Sequence, residues 1–196
     1  MSDNGRFPLF IDLDGRRILV IGAGMIAARR IRTLLLFTGR IEAAARELSP
    51  EVQVFVDEGK VKIVGSEFSE DLLDGVFIVL ACTDDRRRNS QICRAAKKRG
   101  ILSNNCSDQT ECDFFFPSVV KQEELVIGIN AGGTDHKKVK EVRKKIERIT
   151  GNNEADYNRH QKEYTGTDTK RDGKKVHRGS QSGSRSETFK NENNRG

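Results

Sequence analysis

The segment Gly22-Ala23-Gly24-Met25-Ile26-Ala27 follows directly on Arg17-Ile-Leu-Val-Ile, an apolar, β-branched run too short for a helix. Glycines placed where a buried strand gives way to a helix form a natural cradle for an anion. Gly22 permits the tight turn, Gly24 lets the backbone approach a pyrophosphate, and Ala27 allows the helix to pack closely on the sheet. The free N–H groups of the first helical turn, including those of Met25 and Ile26, then face the phosphates. The ligand implied is a dinucleotide. Roughly twenty residues further on, where an NAD site carries an acid for the ribose hydroxyls, the chain reads Ala45-Arg46-Glu47. Glu47 suits the ribose of NAD and Arg46 suits the 2′-phosphate of NADP, so the spacing alone leaves the coenzyme open.

The elements around this turn repeat one grammar. Met25 to Phe37 places Ile26, Ala27, Ile31, Leu34 and Leu35 at helical spacing and stops at Thr38-Gly39. Arg40–Ala45 reads as a second strand by position, although its alanines give it weak β propensity. Val52–Val56 reads as a strand or a short helix, and Val61–Val64 as a strand. Phe77–Cys82 is a strongly apolar strand, Asp85–Arg99 a helix closed by Gly100, and Ile101–Asn104 one more strand. Strands alternating with helices predict a Rossmann-like parallel sheet with helices on both faces. By position, Thr83 lies in the crevice at the strand ends.

After residue 112 the pattern changes. Phe114–Val120 and Glu124–Asn130 are strand-like runs joined by Lys121-Gln-Glu, which predicts an antiparallel hairpin. Gly132-Gly133 and a basic helix from His136 to Ile149 follow. Asp113, just before the first run, is expected as a turn or capping group; Asp135 and His136 offer either metal ligands or a helix cap, and capping by Asp135 is the expected role.

The chain has 196 residues, of which 35% are hydrophobic, against roughly 45–50% in an average globular chain when glycine is counted. The shortfall is concentrated beyond residue 150, where apolar residues are too sparse to offset the entropy of ordering. The expected organisation is therefore a dinucleotide-binding domain over residues 1–112, a small α+β region over 113–150, and a disordered polar tail over 151–196.

A net charge of +6 favours anionic partners. Lys170, Arg171, Lys174, Lys175 and Arg178 of the tail are mixed with acids and only scattered aromatics, which argues against specific nucleic-acid recognition. Cys82, Cys93, Cys106 and Cys112 have no C-x-x-C or zinc-ligand spacing, so free thiols and no assignable metal site are expected. With neither a signal-like nor a membrane-length apolar run, the expected location is the cytoplasm.

Taken together, Pro8-Leu-Phe, Val20–Ala27 with Arg29-Arg30, Glu47-Leu-Ser-Pro50, Ala81–Asp85 with Asn89, Asn104, Cys112–Ser118 and Ala131–Thr134 resemble the precorrin-2 dehydrogenase and sirohydrochlorin ferrochelatase family, the N-terminal part of siroheme synthase. The likeness runs over residues 7–149. It implies an NAD-binding domain followed by a dimerisation region, a cleft between them for a tetrapyrrole, and a homodimer. The implied reaction oxidises precorrin-2 to sirohydrochlorin, and in some members Fe²⁺ is then inserted. Met25, Ile26, Arg46 and Glu47 fall where the family contacts its cofactor. The substrate's eight carboxylates suit a basic cleft, to which Arg86–Arg88, Lys97–Arg99 and Lys137–Lys145 are candidate contributors.

The chain departs from the family at its expected proton acceptor. An aspartate usually stands three residues after the asparagine matching Asn104; here that position is Ser107, and Asp108 comes one place later. A serine hydroxyl is no general base near neutral pH without an activating partner, whereas a carboxylate is. The expectation is that Asp108 turns inward and takes the role beside Ser107. The other outcome is a binding protein that has lost its base. The turn that commonly reads Gly-Gly-Thr-Ser-Pro is Gly132-Gly-Thr-Asp-His136 here, and the chain lacks the helical periodicity with which larger members continue after Ile149.

Overall fold

The computed structural model describes residues 7–151. Apart from Gly151, the expected tail and its basic residues lie outside the described residues.

Five short strands, β1 (Ile18–Ile21), β2 (Ile41–Ala44), β3 (Val61–Gly65), β4 (Ile78–Ala81) and β5 (Leu102–Asn105), form one parallel sheet in the order β3-β2-β1-β4-β5. The register aligns Ile18 with Ile41 on one side and with Ile78 on the other, and Ile78 with Leu102. All four residues of β1 and of β4 are buried, as expected of strands covered on both faces.

Alternation along each strand divides the core. Ile18 and Val20 face α1 (Met25–Leu34) and α2 (Pro50–Asp57), meeting Ala27, Ile31, Val52 and Phe55. Leu19 and Ile21 face the opposite layer, built from Leu73, Val79 and from Ile92, Cys93 and Ala96 of α3 (Arg86–Lys98). The expected helices on both faces of a parallel sheet are present.

Two elements settle differently from their first reading, and a third is decided between its alternatives. Residues 50–57 are helical: Ser49 caps α2 by accepting from the Val52 N–H, and Pro50 stands in the first turn, where its missing N–H costs nothing. Helix α1 ends at Leu34, three residues before Phe37. The hairpin strands are β6 (Ser118–Gln122) and β7 (Leu125–Ile129), so Phe114–Pro117 lies outside the ladder. Pro117 has no N–H to give a ladder, and Phe114 and Phe116 pack instead against the α1 side of the core. Helix α4 (His136–Ile149) packs against β6 and is capped by Asp135, which accepts from the Lys138 N–H at 2.8 Å.

Candidate functional site

The strand order reverses between β1 and β4, and in an open α/β sheet the crevice beyond the strand ends at such a point is where ligands sit. Gly22 leaves β1 with φ +95°, a conformation that side chains rarely adopt. A Cβ there would lie 2.5 Å from the carbonyl oxygen of Cys82 and 2.9 Å from the Thr83 nitrogen, so Gly22 brings the ends of β1 and β4 into contact. Gly24 is different. It has ordinary φ and would point a Cβ into open space in front of α1.

Gly24 is the N-cap of α1, no side chain caps the helix, and its first turn contains no acid. The first intrahelical bond runs from the Ala28 N–H to the Gly24 carbonyl, leaving the amides of Met25, Ile26 and Ala27 ahead of it. Met25 is 85% exposed and Ile26 47%, which opens the helix end to a ligand. A dinucleotide pyrophosphate fits this positive, uncapped and sterically open helix end.

The opposite wall is built by Asn89, fully buried on α3. Its Oδ1 accepts from the Thr83 N–H at 3.0 Å and the Thr83 hydroxyl at 2.7 Å, while its Nδ2 donates to the Thr83 carbonyl and to the Ser107 hydroxyl oxygen. One amide thus fixes the loop after β4 and joins it to the loop after β5. Asp85 caps α3 by accepting from the Arg87 and Arg88 N–H groups.

Arg46 and Glu47 both lie exposed just past the end of β2. Arg46 is ion-paired to Glu67, with its Nε donating to Oε1 at 2.8 Å, and Arg88 approaches the other oxygen at 3.8 Å. The Arg46 guanidinium holds the Glu67 carboxyl below its usual range. Glu67 carried no motif signal; it reaches the site because the loop after β3 runs beside the one after β2.

A cleft of about 1060 Å³ lies between α1, the loop after β5, the hairpin and α4. Its walls include Arg29 and Arg30, Asn104–Asp108, Phe116 and His136. Arg30 stacks its guanidinium 4.2 Å from the centroid of the Phe116 ring. Burial pulls the Arg30 pKa down, opposed by neighbouring thiols. The segment Phe114–Pro117, expected as strand, thus forms cleft wall. Of the candidate basic clusters, Arg143 of the Lys137–Lys145 run lines the cleft, and Arg86 reaches its edge by donating to the Ser107 carbonyl at 3.4 Å. Lys97 turns to Asp113, and Arg99 to Asp74 and Glu70.

Ser107 and Asp108 both line the cleft. The Ser107 hydroxyl donates to Asn105 Oδ1 at 2.7 Å and accepts from Asn89 Nδ2 at 3.1 Å, and neither amide is a base. Asp108 Oδ1 accepts from the Thr110 N–H at 2.9 Å and its hydroxyl at 2.7 Å. These bonds hold the Asp108 carboxyl below its usual range, with the positive charge of Arg86 acting in the same direction. Asp113 is structural, accepting from the backbone N–H and hydroxyl of Ser103.

Sequence spacing gave no warning of a thiol pair at the same strand ends: Cys82 Sγ lies 2.8 Å from Cys106 Sγ. All four cysteines are free thiols. Among the described residues, no cluster of three or more His, Cys, Asp or Glu side chains is arranged for a metal ion, and no helix is long and apolar enough to cross a membrane.

Residues 9–118 match the family described as "Putative NAD(P)-binding". A siroheme synthase of Sodalis glossinidius is 37% identical over 142 residues, and one of Photorhabdus laumondii 36% over the same length. Each alignment covers 72% of this chain, and the chain spans about 30% of the length of these relatives. Among solved structures, that of SirC, a precorrin-2 dehydrogenase, superposes with a TM-score of 0.63 at 23% identity, covering 80% of this chain and 76% of the other. That likeness bears on the fold, and it covers a larger share of the chain than residues 9–118. The matched segment contains the glycine turn, the Asn89 bridge and the loop after β5 and spans more than half of the chain, which therefore belongs to this "Putative NAD(P)-binding" family.

Proposed function

We propose that the protein is an NAD(P)⁺-dependent dehydrogenase that oxidises precorrin-2 to sirohydrochlorin. The observation that carries this reading is the adjacency of two sites. The glycine turn at the β1–β4 switch point meets the loop after β4, and Asn89 ties that loop to the loop after β5 in the wall of the arginine-walled cleft, so a coenzyme and a large polyanion would meet at Ser107 and Asp108. The relatives named as siroheme synthases and the fold shared with a precorrin-2 dehydrogenase support the same substrate class.

The amides of Met25 and Ile26 and the open face of Gly24 would hold the pyrophosphate, with Arg46 and Glu47 at the adenosine ribose and Thr83 beside the nicotinamide. The chemistry supplied by NAD(P)⁺ in that position is acceptance of a hydride. The substrate must also lose a proton, and in this reading the Asp108 carboxylate, which lines the cleft, takes it. Ser107, locked between Asn89 and Asn105, positions the loop rather than ionising. Arg29 and Arg30 supply positive potential to substrate carboxylates, and Phe116 an aromatic wall.

Two finer features belong to the same proposal. Residues 113–150 form a dimerisation region, and a second copy covers its apolar surface. Supporting this, Leu125 is 48% and Ile149 84% exposed, and Val126 and Ile127 are only half covered. Fe²⁺ insertion into the product is a second reaction of the same cleft, carried out in the cytoplasm.

One observation favours a different reading, a nucleotide- or tetrapyrrole-binding protein without turnover: both Asp108 contacts are with Thr110, which weakens the carboxylate as a base. Incubation with precorrin-2 and NAD⁺ or NADP⁺, following reduced nicotinamide and sirohydrochlorin absorption, separates the two. Turnover supports the dehydrogenase, and coenzyme binding without turnover supports the binding protein. Fe²⁺ added with sirohydrochlorin, against an uncatalysed control, tests insertion. Sedimentation analysis tests the dimer.

A further inference from the structure

The thiols of Cys82 and Cys106 have no part in the dehydrogenation proposed above. Cys82 follows the last residue of β4 and Cys106 the last residue of β5. Their predecessors, Ala81 and Asn105, are paired in register, and the Cys106 N–H donates to the Ala81 carbonyl at 3.0 Å. Neighbouring strands run ~4.8 Å apart, and a disulfide spans Cα atoms roughly 4.4–6.8 Å apart. Both side chains point to the α1 side of the sheet, where they meet at 2.8 Å. The backbone is thus already placed for a bond between them.

The two thiols differ in access. Cys82 is buried at 8% exposure, whereas Cys106 is partly exposed and lines the cleft. Cys106 also faces the Arg30 guanidinium and sits 3.7 Å from Asn104 Oδ1. Cys112 bonds to the backbone of Asn105 and Asp108, and Cys93 lies in the opposite core layer.

The geometry points to Cys82 and Cys106 as a reversible dithiol–disulfide site at the floor of the cleft, oxidised by low-molecular-weight disulfides such as glutathione disulfide. The Cys106 thiolate attacks one sulfur of glutathione disulfide, forming a mixed disulfide and expelling one glutathione thiolate. Cys82 then gives up its proton and attacks Cys106 Sγ, forming the internal bond and expelling the second glutathione. The protein loses two electrons and two protons, and one glutathione disulfide becomes two glutathiones. The order of attack follows access. It is reinforced by the Cys82 hydrogen bond and the charge of Arg30, which bring the Cys106 pKa down to about 7, while bonding to Cys106 and burial raise that of Cys82.

The test equilibrates the full chain in glutathione redox buffers, quenches with acid, alkylates with N-ethylmaleimide and maps peptides without reduction. The expected product joins the Cys82 peptide to the peptide running from Gly100 to Lys121, with fragmentation placing the link on Cys106, and Cys93 and Cys112 alkylated. Dithiothreitol reverses it. Cys82→Ser should accumulate glutathione on Cys106, and Cys106→Ser should leave Cys82 reduced. The proposal is overturned if the wild-type chain stays fully reduced in oxidising buffer, if the link falls on Cys112, or if it stops at a glutathione adduct. The wild-type map requires no variant to fold, and it is independent of whether the protein turns over precorrin-2.

Discussion

A Cβ built on Gly22 falls 2.5 Å from the carbonyl oxygen of Cys82, whereas one built on Gly24, two residues away, meets nothing within 4 Å. The two glycines of one motif therefore serve different ends: Gly22 lets two strand ends close on each other, and Gly24 keeps the space before α1 empty.

Gly22→Ala must accommodate both a backbone overlap and φ +95°, at a combined cost of roughly 2–4 kcal/mol, read as a fall in the denaturation midpoint. Gly24→Val should stay within about 1 kcal/mol of the parent in stability, yet weaken NAD⁺ binding tenfold or more by calorimetry, because its side chain fills the place of the pyrophosphate. Equal effects of the two on stability would show that Gly24 too is a packing residue.

Asn89 is the second support of the crevice. Asn89→Ala leaves the Thr83 N–H and carbonyl and the Ser107 hydroxyl without their buried partner, at a cost of roughly 2–4 kcal/mol in urea unfolding. Asn89→Asp keeps the acceptor for Thr83 but removes both N–H donations and buries a charge, so it should rescue little. A near-parental midpoint for Asn89→Asp would mean that the Oδ1 contacts alone hold the loops together.

These contrasts mark what could be read along the chain. The sheet was legible because β1 and β4 are continuous apolar runs and the glycine turn sits between strand and helix. Helix α2 was ambiguous because Val52–Val56 satisfies both periodicities; the cap at Ser49 and Pro50 decides it. The first hairpin strand was extended too far because Phe114–Phe116 looks like strand by composition, while Pro117 bars the ladder and Arg30 draws Phe116 into the cleft. Cys82 with Cys106, Arg46 with Glu67 and Asn89 with Ser107 stood outside reach altogether. They are separated by 24, 21 and 18 residues and meet only through the register and loops of neighbouring strands.

The position of Asp108 sets a pH dependence. Its carboxyl is depressed by the Thr110 hydroxyl and N–H, so it stays ionised to lower pH than an ordinary aspartate at ~3.9. Thr110→Val removes the hydroxyl bond, lets the folded pKa rise and moves the acidic limb of kcat/KM to higher pH. Asp108→Asn keeps an acceptor for the Thr110 N–H but cannot take a proton, so kcat should drop by ~10²–10⁴ with unchanged thermal midpoint. An acidic limb that ignores Thr110→Val would remove Asp108 from the role of base.

Coenzyme choice should turn on Arg46 and its partner. A 2′-phosphate arriving past the end of β2 meets Arg46, but that guanidinium is shared with Glu67, and Glu47 adds another negative charge. The balance therefore favours the bare ribose of NAD⁺. Glu67→Gln removes one repelling charge and releases Arg46, so NADP⁺ affinity should rise several-fold while NAD⁺ affinity stays nearly constant. Arg46→Ala should shift the ratio the opposite way. Because the pair is exposed, both effects should shrink as salt is raised beyond ~0.1 M, where the screening length falls below about 10 Å. The measurement is the ratio of NAD⁺ to NADP⁺ dissociation constants at two ionic strengths, and a ratio unmoved by Glu67→Gln would place the adenosine ribose away from Arg46.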